Sequence, residues 1–211
     1  VSTRAAIEDT YGTGVAADDL HWAIFETDEN GAAVGDAIFS NVEEGFFADD
    51  ALENTFNVRL VKGKKYVGMF WAHANGAPYT VAWPEVTMGD VNSNDEDLDA
   101  FFNIHNFSIT AGQETGEQKV ELRRPFAQLN VATADTALAS TAGVDIATTG
   151  VEVAGVYSSF GFKDGKVIGE ATTAKFAPTA KANGKISANG KEYDHIAMNY
   201  LLVNDKKLVD V

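Results

Sequence analysis

Apolar residues recur along this chain at every second position far more often than at helical spacing. Side chains on a strand alternate faces, so such runs predict a mostly β protein. "LHWAIF" (20–25) leads through "DENG" towards "AIFSNV" (37–42), and Asn30-Gly31 is a good turn pair for a hairpin. In "TFNVRLV" (55–61), Phe56, Val58 and Leu60 line one face while Asn57 and Arg59 line the other. "KYVGMFWAH" (65–73) is apolar on both faces, the pattern of a central strand covered on both sides. Further runs are "FSI" (107–109), "KVEL" (119–122), "AQLNVAT" (127–133), "VEVAGVYSSF" (151–160), "KVIGEAT" (166–172) and "HIAMNYLLV" (195–203). Asp164-Gly165 suits a turn between the "VEVAGVYSSF" and "KVIGEAT" runs.

The alternation slips once, at Arg123-Arg124-Pro125. Val120 and Leu122 are even-numbered, whereas Ala127, Leu129 and Val131 beyond the proline are odd-numbered. A slip of one residue sends every later side chain to the other face, so a bulge, a bend or a change of sheet is expected there. One helix is predicted, from Ser93 as N-cap through Glu96 three residues on, with Leu98, Phe101 and Phe102 as its apolar face. The competing reading of "DVNSND" (90–95) is a calcium loop. Asp95 stands where such a loop needs glycine and Phe101 where it needs glutamate, so it is not an EF-hand. Between Thr172 and Lys191, Ala, Thr, Lys, Asn and Gly dominate and "ANGK" occurs twice, which reads as a mobile loop feeding a single hairpin.

The 211 residues are enough to bury a sizeable core without staples, and there is no cysteine to make one. The longest apolar stretch, "IAMNYLLV", is far short of the ~20 residues that span a bilayer. Formal net charge is −15, and it is uneven. Residues 1–107 hold 19 acids against 5 bases, whereas 108–211 hold 12 against 11. An acidic front half repels phosphate backbones, so neither nucleic acid nor an anionic lipid surface is an expected partner.

Candidate chemistry is thin. His21, His73, His105 and His195 form no close pair in sequence; His21 and His73 read as strand-end or interface residues. "GFKDGK" (161–166) is too short for a phosphate loop, and "GTGVAA" (12–17) lacks the third glycine of a dinucleotide loop. The front-half acids, such as Glu43, Glu44, Asp49 and Asp50, sit in adjacent pairs, as on a solvated face. No catalytic residue, cofactor site or metal site is assigned. Trp71, Tyr79 and Trp83 are the candidate ligand surface, a sugar-stacking platform, with core aromatics as the competing reading.

Five segments in order carry a family resemblance: "LVKGKKYVGMFWAHANGAPY" (60–79), "NDEDLDAFF" (94–102), "VELRRPFAQLNVAT" (120–133), "VEVAGVYSSF" and "YDHIAMNYLLV" (193–203). Together they resemble fimbrillin-like proteins of Bacteroidota, the subunits of type V pili and related surface proteins. The resemblance implies two successive transthyretin-like, Greek-key β-sandwich domains, here 1–124 and 125–211. The Arg-Arg-Pro step would be the passage between them, its arginines paired with front-half acids. It implies assembly rather than catalysis: an exported lipoprotein precursor held at the outer membrane by its lipid anchor, trimmed after an arginine, and polymerised by strand donation. Arg4 is the candidate processing site, and "DTA" (135–137) resembles a short O-glycosylation signal. The implied partners are other pilus subunits, with a host protein or glycan besides, at the cell surface in a fimbrium. Relatives continue beyond the point matching "IAMNYLLV", so the second domain is expected to be incomplete at Val211. The alternative is a surface module binding a glycan or host protein through Trp71, Tyr79 and Trp83; a carbohydrate-active β-sandwich enzyme is more remote.

Overall fold

The structure, a computed structural model, describes residues 11–47, 53–110, 112 and 116–204. Arg4 lies outside the described residues. Among the described residues, thirteen strands form four antiparallel sheets. The first contains β1 (Asp19–Thr27), β2 (Ala33–Glu43), β3 (Lys64–His73) and β6 (Ala100–Ile109), in the order β2-β1-β3-β6. The second contains β4 (Tyr79–Ala82), β5 (Glu85–Met88), β9 (Ser159–Gly161) and β10 (Lys166–Ile168), in the order β10-β9-β5-β4. β8 (Thr148–Val156) pairs with β11 (Thr172–Ala180). The last sheet sets β13 (Lys191–Leu201) between β12 (Lys185–Ala188) and β7 (Ala127–Thr133).

The doubly apolar β3 is the central strand its sequence predicts. It pairs with β1 on one side and β6 on the other, and every residue from Tyr66 to His73 is buried. Its odd-numbered side chains, Val67, Met69 and Trp71, enter the main core with Ala23 and Phe25 of β1. Its even-numbered ones, Tyr66, Phe70 and Ala72, form a second cluster with Leu20, Trp22 and Ile24. Gly68 is required within this strand, because a Cβ there would lie 2.7 Å from the Phe70 ring.

The main core takes residues from all four sheets, including Trp71, Val86, Val153, Phe160, Phe176 and Met198. The two halves expected at 1–124 and 125–211 share this core. They also share the second sheet, which takes two strands from each. At the Arg-Arg-Pro step the chain changes sheet. Arg123 makes a single two-bond bridge to Phe102 at the edge of the first sheet, and β7 then begins against β13. Val120 and Leu122 accordingly pack on the second cluster, whereas Leu129 packs on the main core. That transfer is the slipped alternation.

Three expectations are corrected. The helix predicted from Ser93 is one 3₁₀ turn, Glu96–Leu98, capped by Asp95, whose side chain accepts the Asp97 N–H. Phe101 and Phe102 belong to β6, because pairing with β3 outweighs a weak helical signal. Among the described residues the one α-helix lies elsewhere: α1 spans Thr136–Thr141 and buries no residue. The stretch read as a loop holds β11 and β12, and Asn189 and Gly190, both at positive φ, turn β12 into β13.

The burial of β3 sets a stability test. Trp71 is 0% exposed, so Trp71→Ala is expected to cost about 3–5 kcal/mol in urea denaturation. Phe39→Ala, on a strand open to solvent, is expected to cost less than about 1 kcal/mol.

Candidate functional site

The two faces of the first sheet are covered differently. The main-core face meets other sheets. The opposite face is covered by chain outside any strand: Phe46, Phe47, Phe56, Val58, Leu60, Val120 and Leu122 pack on the second cluster. Phe56 stacks on Trp22 with centroids 4.7 Å apart. Residues 55–61 thus show the inward–outward alternation of a strand, yet among the described residues 55–60 form no backbone ladder. The ends of the segment are tied by side chains: the Thr55 N–H donates to Asn54 Oδ1 at 2.7 Å. The Val61 N–H donates to the Tyr66 hydroxyl, which in turn donates to the Val61 carbonyl. Residues 118–122 lie along β6 in a similar way, held by the Asn103 amide donating to the Glu121 carbonyl and by His105 facing Gln118. Side chains anchor both segments. Among the described residues, the main-chain groups of 56–60 make no backbone–backbone hydrogen bond.

A second open feature is β2 at the sheet's edge. It is exposed along nearly its whole length and carries Val34, Ile38, Phe39 and Val42, each 41–46% exposed. The register breaks between Ile24 and Glu26, where β2 has extra residues and Gly35 sits at φ +69°. Bulges of this kind twist an edge away from unwanted pairing.

Beside the Arg-Arg-Pro step, a polar knot adjoins the apolar core. Asp99 is 0% exposed, and both of its carboxylate oxygens accept from Arg124, Nε and Nη2, at 2.5 Å. Arg124 also donates to the Gly12 carbonyl at 3.1 Å, and the Gly12 N–H donates to Glu96 Oε1 at 2.6 Å. Glu96 Oε2 accepts from the Tyr200 hydroxyl at 2.9 Å. The guanidinium lies 5.0 Å from the Phe101 ring centroid. Burial pushes the Tyr200 phenol far up, helped by Asp99 and Glu96, so it stays a donor. Hydrogen bonding to Asp99 raises Arg124, whereas burial raises Glu96. The expected pairing of the arginines with front-half acids is therefore met by Arg124. Arg123 instead lies over the Phe102 ring, 5.0 Å from its centroid.

Trp71, Tyr79 and Trp83 belong to one aromatic cluster. Trp71 is 5.3 Å from Tyr79 and 6.2 Å from Phe162, which in turn is 4.8 Å from Trp83. Trp71 has no exposed face on which a sugar could stack, which removes the centre of the expected platform. Tyr79 and Trp83 are half-buried, and the Tyr79 hydroxyl donates inward to the Leu98 carbonyl. In the stretch read as a possible calcium loop, oxygens serve the fold instead. Asn94 Oδ1 accepts the Met198 N–H and Asp95 caps the 3₁₀ turn. Asn94, at φ +60°, also donates from its amide to Thr149 Oγ1 and the Ala180 carbonyl, clamping β8, β11 and β13 together. Sequence reasoning missed this clamp; the available signal was an asparagine, which tolerates the left-handed region.

His21 and His73 stack at 4.9 Å on adjacent strands, and His73 Nδ1 bonds the Ala74 carbonyl at 2.7 Å. Burial, and then His73, lowers the His21 pKa from 6.5 to about 4. Among the described residues, no helix is long and apolar enough to cross a membrane.

A family model described as "Family of unknown function (DUF6562)" matches residues 1–211. No curated protein matches the chain in sequence. Solved structures share its fold at low identity. A candidate polysaccharide-binding protein (DUF1812) of Bacteroides thetaiotaomicron VPI-5482 has a TM-score of 0.53 at 14% identity, over 87% of this chain and 63% of its own. A candidate adhesin of the same organism gives 0.55 at 14% identity, over 92% and 67%. The fimbrial anchor protein Mfa2 of Porphyromonas gingivalis gives 0.51 at 11% identity, again over 92% and 67%. The chain therefore spans about two thirds of the length of these proteins.

Two outcomes are expected from the knot and the histidine pair. Arg124→Ala strands a buried carboxylate and should cost about 3–5 kcal/mol in urea denaturation, with Arg124→Lys recovering only part because lysine lacks the two-pronged fork. The unfolded chain protonates His21 near pH 6.5, whereas the folded one resists until about pH 4. Stability present at neutral pH should therefore drain as pH falls through that window. The His21→Phe variant should show a shallower fall, and a melting-temperature series against pH reads it; His195, also lowered by burial, supplies a residual slope.

Proposed function

Because the chain belongs to the family of unknown function DUF6562, its role has to be read from its surfaces, and we propose a non-enzymatic structural protein of the cell surface. In this reading it is a fimbrial subunit or accessory that takes up a strand from a neighbouring subunit. The observation that carries the reading is the outer layer over β3. Residues 55–61 and 118–122 already offer strand-like alternation and anchored side chains, and what they lack among the described residues is a ladder. A donated strand supplies one by main-chain hydrogen bonding. Fimbrial and adhesin proteins among the structural neighbours support the same role. The precursor would reach the outer membrane through a lipid anchor, and cleavage after Arg4 would free the body for assembly.

Magnitudes favour such an assembly. A strand of ~10 residues inserts about four apolar side chains, worth roughly 6–12 kcal/mol before ordering costs. Repulsion between acidic front halves is screened beyond ~8 Å at physiological salt. Burial wins where the acids stand clear of the contact, and the 55–61 segment carries Arg59 and no acid.

Hydrogen exchange on assembled and monomeric protein tests the reading. Amides of 56–60 and 118–122 should exchange freely in the monomer and slow by about 100-fold or more in the polymer. A polymer in which both segments still exchange freely places the contact elsewhere, and a chain that never polymerises or reaches the surface defeats the role itself. Arg4→Ala should block processing and surface assembly together. Polysaccharide hydrolysis by the purified chain would overturn the non-enzymatic reading.

A further inference from the structure

A hollow of about 300 Å³ lies away from the outer layer, where residues 92–95 face the end of β11 and residues 181–183, with Tyr11 also lining it. Its walls are locked together. The Ser93 N–H donates to the Ala177 carbonyl, the Thr179 hydroxyl donates to the Ser93 carbonyl at 2.5 Å, and the Asn94 N–H donates to the Met198 carbonyl at 2.9 Å. With the Asn94 side chain bonded to both β8 and the β11 end, the cavity's shape is set before anything binds.

The polar groups lining it are underused. The Ser93 hydroxyl is buried and has no hydrogen-bond partner, a state that calls for an explanation in a native fold. Among the described residues, the carboxamides of Asn92 and Asn183 make no hydrogen bond and Lys181 makes no ion pair. One carboxylate, Asp95, and one ammonium, Lys181, offset each other, so the site selects neither anion nor cation. The Tyr11 ring is held edge-on against His195 at 5.4 Å and adds an apolar surface. Many neutral donors and acceptors beside one aromatic ring match a polyhydroxylated ring with an apolar C–H face. The volume is at the small end for ligand pockets, enough for one sugar ring.

We propose that this hollow binds a single pyranose unit of a glycan. Ser93, Asn92, Asn183, Asp95 and Lys181 would meet its hydroxyls, and Tyr11 its C–H face. The proposal does not depend on strand uptake, because none of these residues lies in the outer layer. It moves glycan recognition from Trp71, which is sealed in the core, to a face open to solvent.

Amide NMR titrations of the full chain with methyl α-mannoside, methyl β-galactoside, methyl α-fucoside and methyl β-N-acetylglucosaminide test it, with glycerol as the control polyol. At least one glycoside should give saturable shifts confined to 92–95 and 179–183, with Kd on the order of 1 mM. Ala180→Trp fills the hollow from an exposed position and should weaken binding at least about tenfold, and Ser93→Ala several-fold, with melting temperatures unchanged. Should Ser93→Ala disturb the fold, Ala180→Trp and Lys181→Ala carry the test. The proposal falls if no glycoside shifts these amides, if glycerol shifts them equally, or if Ala180→Trp binds as well as the native chain.

Discussion

A strand with large apolar residues on both faces needs cover on both, and β3 obtains it by two different means. On one side, sheets from both halves of the chain close over Val67, Met69 and Trp71 and make the main core. On the other, Tyr66, Phe70 and Ala72 are covered by extended chain that packs its side chains but, among the described residues, joins no ladder. The asymmetry follows from what each cover must satisfy. A strand brings its own hydrogen-bonding partners, whereas a strap brings side chains only and leaves its main chain to solvent or to another molecule.

The halves are joined by the same economy. Most of the junction is apolar, but beside it Arg124 and Asp99 form a charged fork within the front half, and Glu96 carries the network from Gly12 across to Tyr200. A buried ion pair is a weak source of stability and a strong source of geometry, since few arrangements satisfy all its partners at once. Together with the Asn94 clamp, it fixes how the front-half loop at 92–99 sits on β8, β11 and β13. That placement creates the hollow beside Ser93. The junction thus carries a polar hollow on one side, apart from the layer over β3.

Much of the fold was legible in the chain. The doubly apolar "KYVGMFWAH" became the central strand, Asn30-Gly31 and Asp164-Gly165 became hairpin turns, and the slip at Arg123-Arg124-Pro125 became a change of sheet. Local rules suffice where a face must be buried or a turn needs positive φ. They failed at 94–102, where Leu98, Phe101 and Phe102 fit a short helical face, although pairing with β3 draws the phenylalanines into β6. The candidate site was less legible. Tryptophans mark both cores and sugar platforms, and only packing showed Trp71 to be core.

The residues themselves settled which side chains face inward, because alternation is a property of neighbours along one chain. They could not settle which main chains find partners. Residues 55–61 and 65–73 both alternate or fill a strand pattern, yet only the second is laddered on both sides. Likewise Asn94, Asp99 and Arg124 owe their roles to residues up to 112 positions away. A hydrogen bond across that separation leaves no local periodicity in sequence; only the tertiary fold brings its two ends together.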